Sequence, residues 1–188
     1  VDPPSLRDRL RAGDPRAFDE VYAQQRPGLF RYLARLCQEQ ALAEELSQEV
    51  WLRFARHAHT LPDEVELAAW LFSVARNLYR SQRRRQRLAG RWFSELARSF
   101  VGAQPSSPFE ALAASQAELD LERALASLAE NQREILLLVA VESLTPAQAA
   151  SVLNIRPDAA RQRLARAREQ LARALGRMRA PLAAGGST

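Results

Sequence analysis

The sequence predicts an all-α protein made of two small helical domains joined by a flexible linker, and three observations carry that expectation. Only 7 of the 188 residues are glycine, while alanine and leucine abound, so little punctuates long helices. Apolar residues recur at three- and four-residue spacing, and no stretch alternates apolar with polar residues as a half-buried strand does. That helical pattern fades from about residue 89 to 108, where Gly102, Pro105, Ser106, Ser107 and Pro108 gather as they do in linkers. The length suits one ordinary domain or two small ones.

Taken in order, the first helix is expected near residues 5–12 and ends at Gly13 and Asp14. Asp14 suits an N-cap and Pro15 the first helical position after it. Phe18, Val21 and Tyr22 then form one apolar stripe, and after Pro27 the residues Leu29, Phe30, Leu33 and Leu36 form a second. A third helix is expected over residues 41–58, with Leu42, Leu46, Val50 and Phe54 on one face and Glu44, Glu45 and Glu49 on the other. Residues 57–66, which contain Pro62, read as a loop. A fourth helix follows over residues 67–88, with Leu71, Val74, Ala75 and Leu78 expected inward.

The second half resumes near Phe109, with a stripe of Leu121, Leu125 and Leu128 and another of Ile135, Leu136, Leu138 and Val139. Its densest local signal lies further on. Thr145 can cap a short helix that starts at Pro146 and stops near Leu153. Asn154 tolerates the left-handed turn conformation, and Pro157 opens a long last helix. A short helix, a tight turn and a longer basic helix make a helix-turn-helix. At about 100° per residue, Ala160, Leu164, Ala167 and Leu171 fall in one narrow sector, which leaves Arg161, Gln162 and Arg166 on an exposed face and Arg163 flanking the stripe. Arg can grip guanine and Gln adenine in a major groove.

Charge narrows the function. The net charge is +5, and all 27 basic residues are arginine, because the chain has no lysine. A GC-rich genome would account for arginine in place of lysine, but not for its clustering. Between Glu66 and Glu95 there is no acidic residue and there are seven arginines, among them Arg76, Arg80, Arg83, Arg84 and Arg85. From Arg156 to Arg179 there are eight more against two acids. Two separate cationic helices point to two grips on one long polyanion, and duplex nucleic acid fits that description. One cysteine, Cys37, excludes an intrachain disulfide and a four-cysteine zinc site and suits a reducing, cytoplasmic compartment. Cys37, His57 and His59 are the weak candidates for a sensing or metal role; a half-buried apolar group is the plainer reading of Cys37. No phosphate-binding glycine loop, nucleophile elbow, catalytic triad or metal-ligand spacing is present, so no enzyme, no cofactor, no metal and no small-molecule substrate are expected. No apolar run is long enough for membrane insertion.

These residues resemble a family, the bacterial extracytoplasmic-function sigma factors. In the first half the match runs through Gly13-Asp14 with Ala17-Phe18, the segment from Ala43 to Leu52, and the segment from Ala69 to Leu78 with the arginines after it. In the second half it runs through Arg133 to Leu138, Ser143-Leu144-Thr145 and Arg163 to Glu169. The sequence departs from the family pattern at Ser81, where an acid is frequent, at Asn154, where Gly is common, and at Arg156, where a capping Ser or Thr is usual.

The resemblance implies domains and roles. Residues 1–90 would be the region 2 domain, 91–117 the linker, 118–178 the region 4 helix-turn-helix domain and 179–188 a disordered tail. Glu45, Gln48 and Glu49 would dock on the β′ clamp of core RNA polymerase, and region 4 on the β flap. Trp70, Arg76 and Asn77 would engage the −10 element of promoter DNA, with residues 57–66 able to pocket a flipped base and Arg80, Arg83, Arg84 and Arg85 holding backbone beside it. Arg161, Gln162, Arg163 and Arg166 would read the −35 element. The expected protein is an alternative sigma factor controlled by an anti-sigma factor. Its alternative is a sigma-like decoy that sequesters an anti-sigma factor without binding DNA.

Overall fold

The structure, a computed structural model, describes residues 4–96 and 116–179. The proline- and serine-containing stretch, the expected resumption of helix near Phe109 and residues 180–188 lie outside the described residues. Within them there are eight α-helices and no strand: α1 (Leu6–Arg11), α2 (Pro15–Cys37), α3 (Gln40–His57), α4 (Leu67–Leu96), α5 (Gln116–Ala126), α6 (Glu130–Leu136), α7 (Pro146–Leu153) and α8 (Pro157–Arg179). The chain divides into two units at Pro105 and Ser106.

In the first unit, α1 begins with a reciprocal cap: Ser5 accepts the Asp8 N–H while the Asp8 carboxylate accepts the Ser5 N–H. Gly13, at φ +73°, makes the turn that follows. Asp14 caps α2 through the Arg16 N–H at 2.9 Å, with Pro15 first in the helix, as the sequence indicates. The two stripes on either side of Pro27 belong to one continuous helix. Proline removes a helical hydrogen bond and costs about 3 kcal/mol. Downstream, Leu29, Tyr32, Leu33 and Leu36 are all fully buried, and each such side chain contributes about 1.5–3 kcal/mol. Their packing outweighs the proline.

On α3 the buried face is the expected Leu42, Leu46, Val50 and Phe54, widened by Ala43, Ser47 and Trp51. Aromatic rings bind α2 to α3: Tyr22 meets Trp51 edge-on at 4.7 Å, and Phe18 stacks on Phe54 at 5.5 Å. α4 runs to Leu96, eight residues past its expected end. Its inward face is also rotated from the expected one. Leu71, Phe72, Ala75, Arg76 and Tyr79 are buried, while Val74 and Leu78 are only half-buried. The larger rings take the interior, and Phe72 packs edge-on to Tyr32 at 5.3 Å.

In the second unit, α5, α6 and α7 all pack on α8. Ile135, Leu136, Leu137 and Leu138 are buried in succession, a wider face than the expected stripe, and Val139 is half-buried instead. The helix opens there into a π-helical turn over Leu137–Val141, closed by the Glu142 N–H on the Leu137 carbonyl at 3.0 Å. Ser143 then takes the left-handed conformation, φ 57°, and releases the chain toward α7.

Candidate nucleic-acid and partner interfaces

The turn between α7 and α8 forms as its residues dictate. Thr145 and Gln148 cap α7 reciprocally, with Pro146 first in the helix. Asn154 sits at φ 50°, ψ 52°, and the Ile155 N–H closes on the Ala150 carbonyl at 3.0 Å. Behind the turn, Ala149, Ala150, Val152 and Leu153 are buried, as are Ala160, Leu164 and Ala167 of α8. The wholly buried Ala160 and Ala167 let the helices approach closely. On the outer side Arg161, Gln162 and Arg166 are exposed and Arg163 is half-buried. Arg161 is ion-paired with Asp158 one turn earlier, so it must leave that partner to reach another anion. Arg166 and Gln162 are one turn apart and face the same way.

In the first unit the aromatic cluster extends outward to the start of α4. Phe54 lies 6.0 Å from Trp70, and Trp70 lies 6.3 Å from His57. Trp70 is therefore half-buried but held by its inner edge. The α4 start is fixed by Glu66, whose carboxylate accepts the Ala69 N–H at 2.7 Å. Further along α4, Asn77, Arg80, Arg83, Arg84 and Arg85 are exposed. Arg76 departs from the expectation that groups it with them. Only 6% of it is exposed, and it is engaged inside the protein. Its place in the rotated inward face, between Phe72 and Tyr79, takes its guanidinium from solvent, so it belongs to the packing of α4.

Glu45 and Gln48 are exposed on α3, and Glu49 is half-exposed with its carboxylate on Arg53 at 2.8 Å. A cleft of about 480 Å³ separates these residues from α4. Glu45, Gln48 and Glu49 form one lip, and Asn77, Ser81 and Arg85 form the other, with Leu46 and Leu78 between. The sequence shows both lips but not their juxtaposition. Leu52, also lining the cleft, is 52% exposed; its position outside the Leu42–Leu46–Val50–Phe54 stripe is the signal that marks it.

Residues 57–66 are not one irregular loop. His57 ends α3 and donates through Nδ1 to the Arg53 carbonyl at 2.8 Å; a short 3-10 turn follows over Ala58–Thr60. Cys37 is half-buried, and that burial, with Glu39 nearby, pushes its thiol up to about 12. Among the described residues no group of three or more His, Cys, Asp or Glu side chains is placed to hold a metal ion, and no helix is long and apolar enough to cross a membrane.

Comparison with known proteins accounts for both halves. Residues 21–89 match the sigma-70 region 2 family and residues 118–171 match sigma-70 region 4. The chain is 30% identical over 155 residues to the ECF RNA polymerase sigma factor SigM of Bacillus subtilis, covering 81% of this chain and 91% of that protein. It is 30% identical over 172 residues to the RNA polymerase sigma factor CarQ of Myxococcus xanthus, covering 91% and 96%. Among solved structures it resembles the sigma factor RpoE of Bartonella quintana, crystallised with the anti-sigma factor NepR. That likeness has a TM-score of 0.71 and 25% identity, over 85% of this chain and 96% of RpoE. The chain belongs to the extracytoplasmic-function RNA polymerase sigma factors, which are transcription initiation factors.

Proposed function

We propose that this sigma factor binds core RNA polymerase, recognises two promoter elements and helps open the downstream one, without catalysing a reaction itself. Glu45, Gln48 and Glu49 dock on the β′ clamp, where an acidic helix face suits a basic partner. Region 4 rests on the β flap. Trp70 and Asn77 engage the −10 element beside a loop that receives an unstacked base, and Arg80, Arg83, Arg84 and Arg85 hold adjoining backbone. Arg161, Gln162, Arg163 and Arg166 read the −35 element. Arg76, being buried, is left out of the DNA contacts. The protein works in the cytoplasm, and an anti-sigma factor, the kind of partner crystallised with the RpoE relative, restrains it until a signal arrives.

The observation that carries this reading is the cleft between α3 and α4. One lip is acidic and the other polar and cationic, so a protein partner and a DNA strand can be held side by side on one rigid unit. Run-off transcription with purified core polymerase tests it. The expected result is initiation at promoters that core polymerase alone ignores. A chain that captures an anti-sigma factor but never redirects polymerase would be a decoy instead.

A further inference from the structure

Helix α1 carries two arginines that reach across some fifty residues of sequence onto the loop between α3 and α4. Arg7 donates through its guanidinium to the Pro62 carbonyl at 2.9 Å. Arg11 donates to the Leu61 carbonyl at 3.4 Å and pairs with the Asp63 carboxylate at 2.8 Å. Arginine suits this task because its planar fork serves several acceptors at once. α1 also packs on the 3-10 turn that begins the loop.

The loop has some internal order. Thr60 donates to the His57 carbonyl at 2.9 Å, Leu61 is buried, and the Val65 N–H closes a turn on the Pro62 carbonyl at 3.2 Å. That same Pro62 carbonyl takes the Arg7 hydrogen bond, so α1 grips the turn at its hinge. Pro62, Asp63 and Glu64 are otherwise exposed, with no side chain buried to fix their course. α1 is a firm base for the grip. Leu10 is buried, and Arg9 ties the helix to α2 through Asp14 and Glu20, each at 2.9 Å.

We propose that Arg7 and Arg11 are positioning residues that hold loop 61–66 in the shape that selects the −10 sequence, without themselves touching DNA. This rests on the reading, given above, that the loop receives a promoter base. Exposed hydrogen bonds and ion pairs of this kind add little to global stability. Their effect is local: they remove alternative courses of a loop whose backbone has few other restraints. A loop free to take several courses still accommodates a base, but accommodates different bases more equally.

The test is transcription by core polymerase with the full chain on a template pool randomised across both the −35 and −10 segments, sequencing the templates used. In the Arg7→Ala, Arg11→Ala double variant, preference at the −10 segment is expected to flatten by about fivefold, with −35 preference and core-polymerase affinity unchanged. Arg11→Asp combined with Asp63→Arg, which re-forms the ion pair with its charges exchanged, is expected to regain more −10 preference than either single change retains. A misfolded domain would lose core binding and all activity together, which also overturns the proposal. If both variants keep the parent −10 preference while replacing residues 62–65 by glycine and serine abolishes it, the loop reads DNA but α1 does not set its shape. If the loop replacement also leaves −10 preference intact, the loop does not read the element, and both the positioning role and the base-receiving role fall.

Discussion

Arg133 donates through Nε to the carbonyl of Leu125 at 3.0 Å, from inside the second unit. Its Nη2 reaches the Ala126 carbonyl at 2.8 Å and the Leu128 carbonyl at 3.2 Å. One buried guanidinium thus satisfies three carbonyls where α5 ends, at the negative pole of that helix. Truncation would leave those acceptors without this donor. Arg133→Ala is expected to destabilise the region 4 unit by about 2–4 kcal/mol. Native-state hydrogen exchange of amides in residues 118–171 reads this directly, and an effect below about 0.5 kcal/mol would show the three bonds to be dispensable.

Asn154 holds the left-handed turn of the helix-turn-helix. Asn154→Gly is expected to be close to neutral, because glycine takes that conformation freely. Asn154→Val is expected to cost about 1–2 kcal/mol, since a branched side chain meets the following carbonyl there. Thermal unfolding followed by amide signals of α7 and α8 separates the two. Equal losses would mean that the asparagine side chain, not its backbone shape, matters.

The two cationic helices should fail differently. Gln162→Ala and Arg166→Ala are expected to weaken promoter use only where particular −35 bases are present, by about 1–3 kcal/mol for a lost bidentate contact. Arg84→Ala is expected to weaken all promoters alike and to lower the log–log salt slope by about 0.9. Binding titrations of the polymerase complex over a salt series distinguish these outcomes, and a uniform loss for all three variants contradicts the division of labour.

Cys37 should be chemically quiet. With its thiol pushed up to about 12 from an ordinary 9.0, the thiolate fraction at pH 8 falls roughly a thousandfold. Alkylation by iodoacetamide at pH 8 is expected to be slow in the native protein and fast in urea. The same shift has a sign for stability. The folded state holds the proton more tightly, so the buried thiol's contribution is complete below pH 9 and is lost as pH rises toward 12. Comparable alkylation rates in both states would show Cys37 to be accessible.

The parts of the site that rest on local chemistry were legible in the sequence. Thr145, Pro146, Asn154 and Pro157 mark the turn because caps and left-handed positions depend on neighbouring backbone alone. The Ala160–Leu164–Ala167 stripe is legible because one helix face repeats at a fixed angle. At Pro27 the local penalty is real, but the packing of Leu29, Tyr32, Leu33 and Leu36 exceeds it, and that packing is not a property of neighbouring backbone.

The sequence by itself determined the two all-α units, the family, the capped turn before α8 and the clustering of arginine on two helices. Each follows from residue type and spacing along one element. Only the tertiary structure decided that Arg76 turns inward, that Glu49 of α3 and Arg85 of α4 line one cleft, and that Arg7 and Arg11 reach residues 61–63. Those relations depend on the rotation of one helix against another. That rotation is set by the summed fit of large side chains such as Phe72, Tyr32 and Trp51, and no single helix period encodes it.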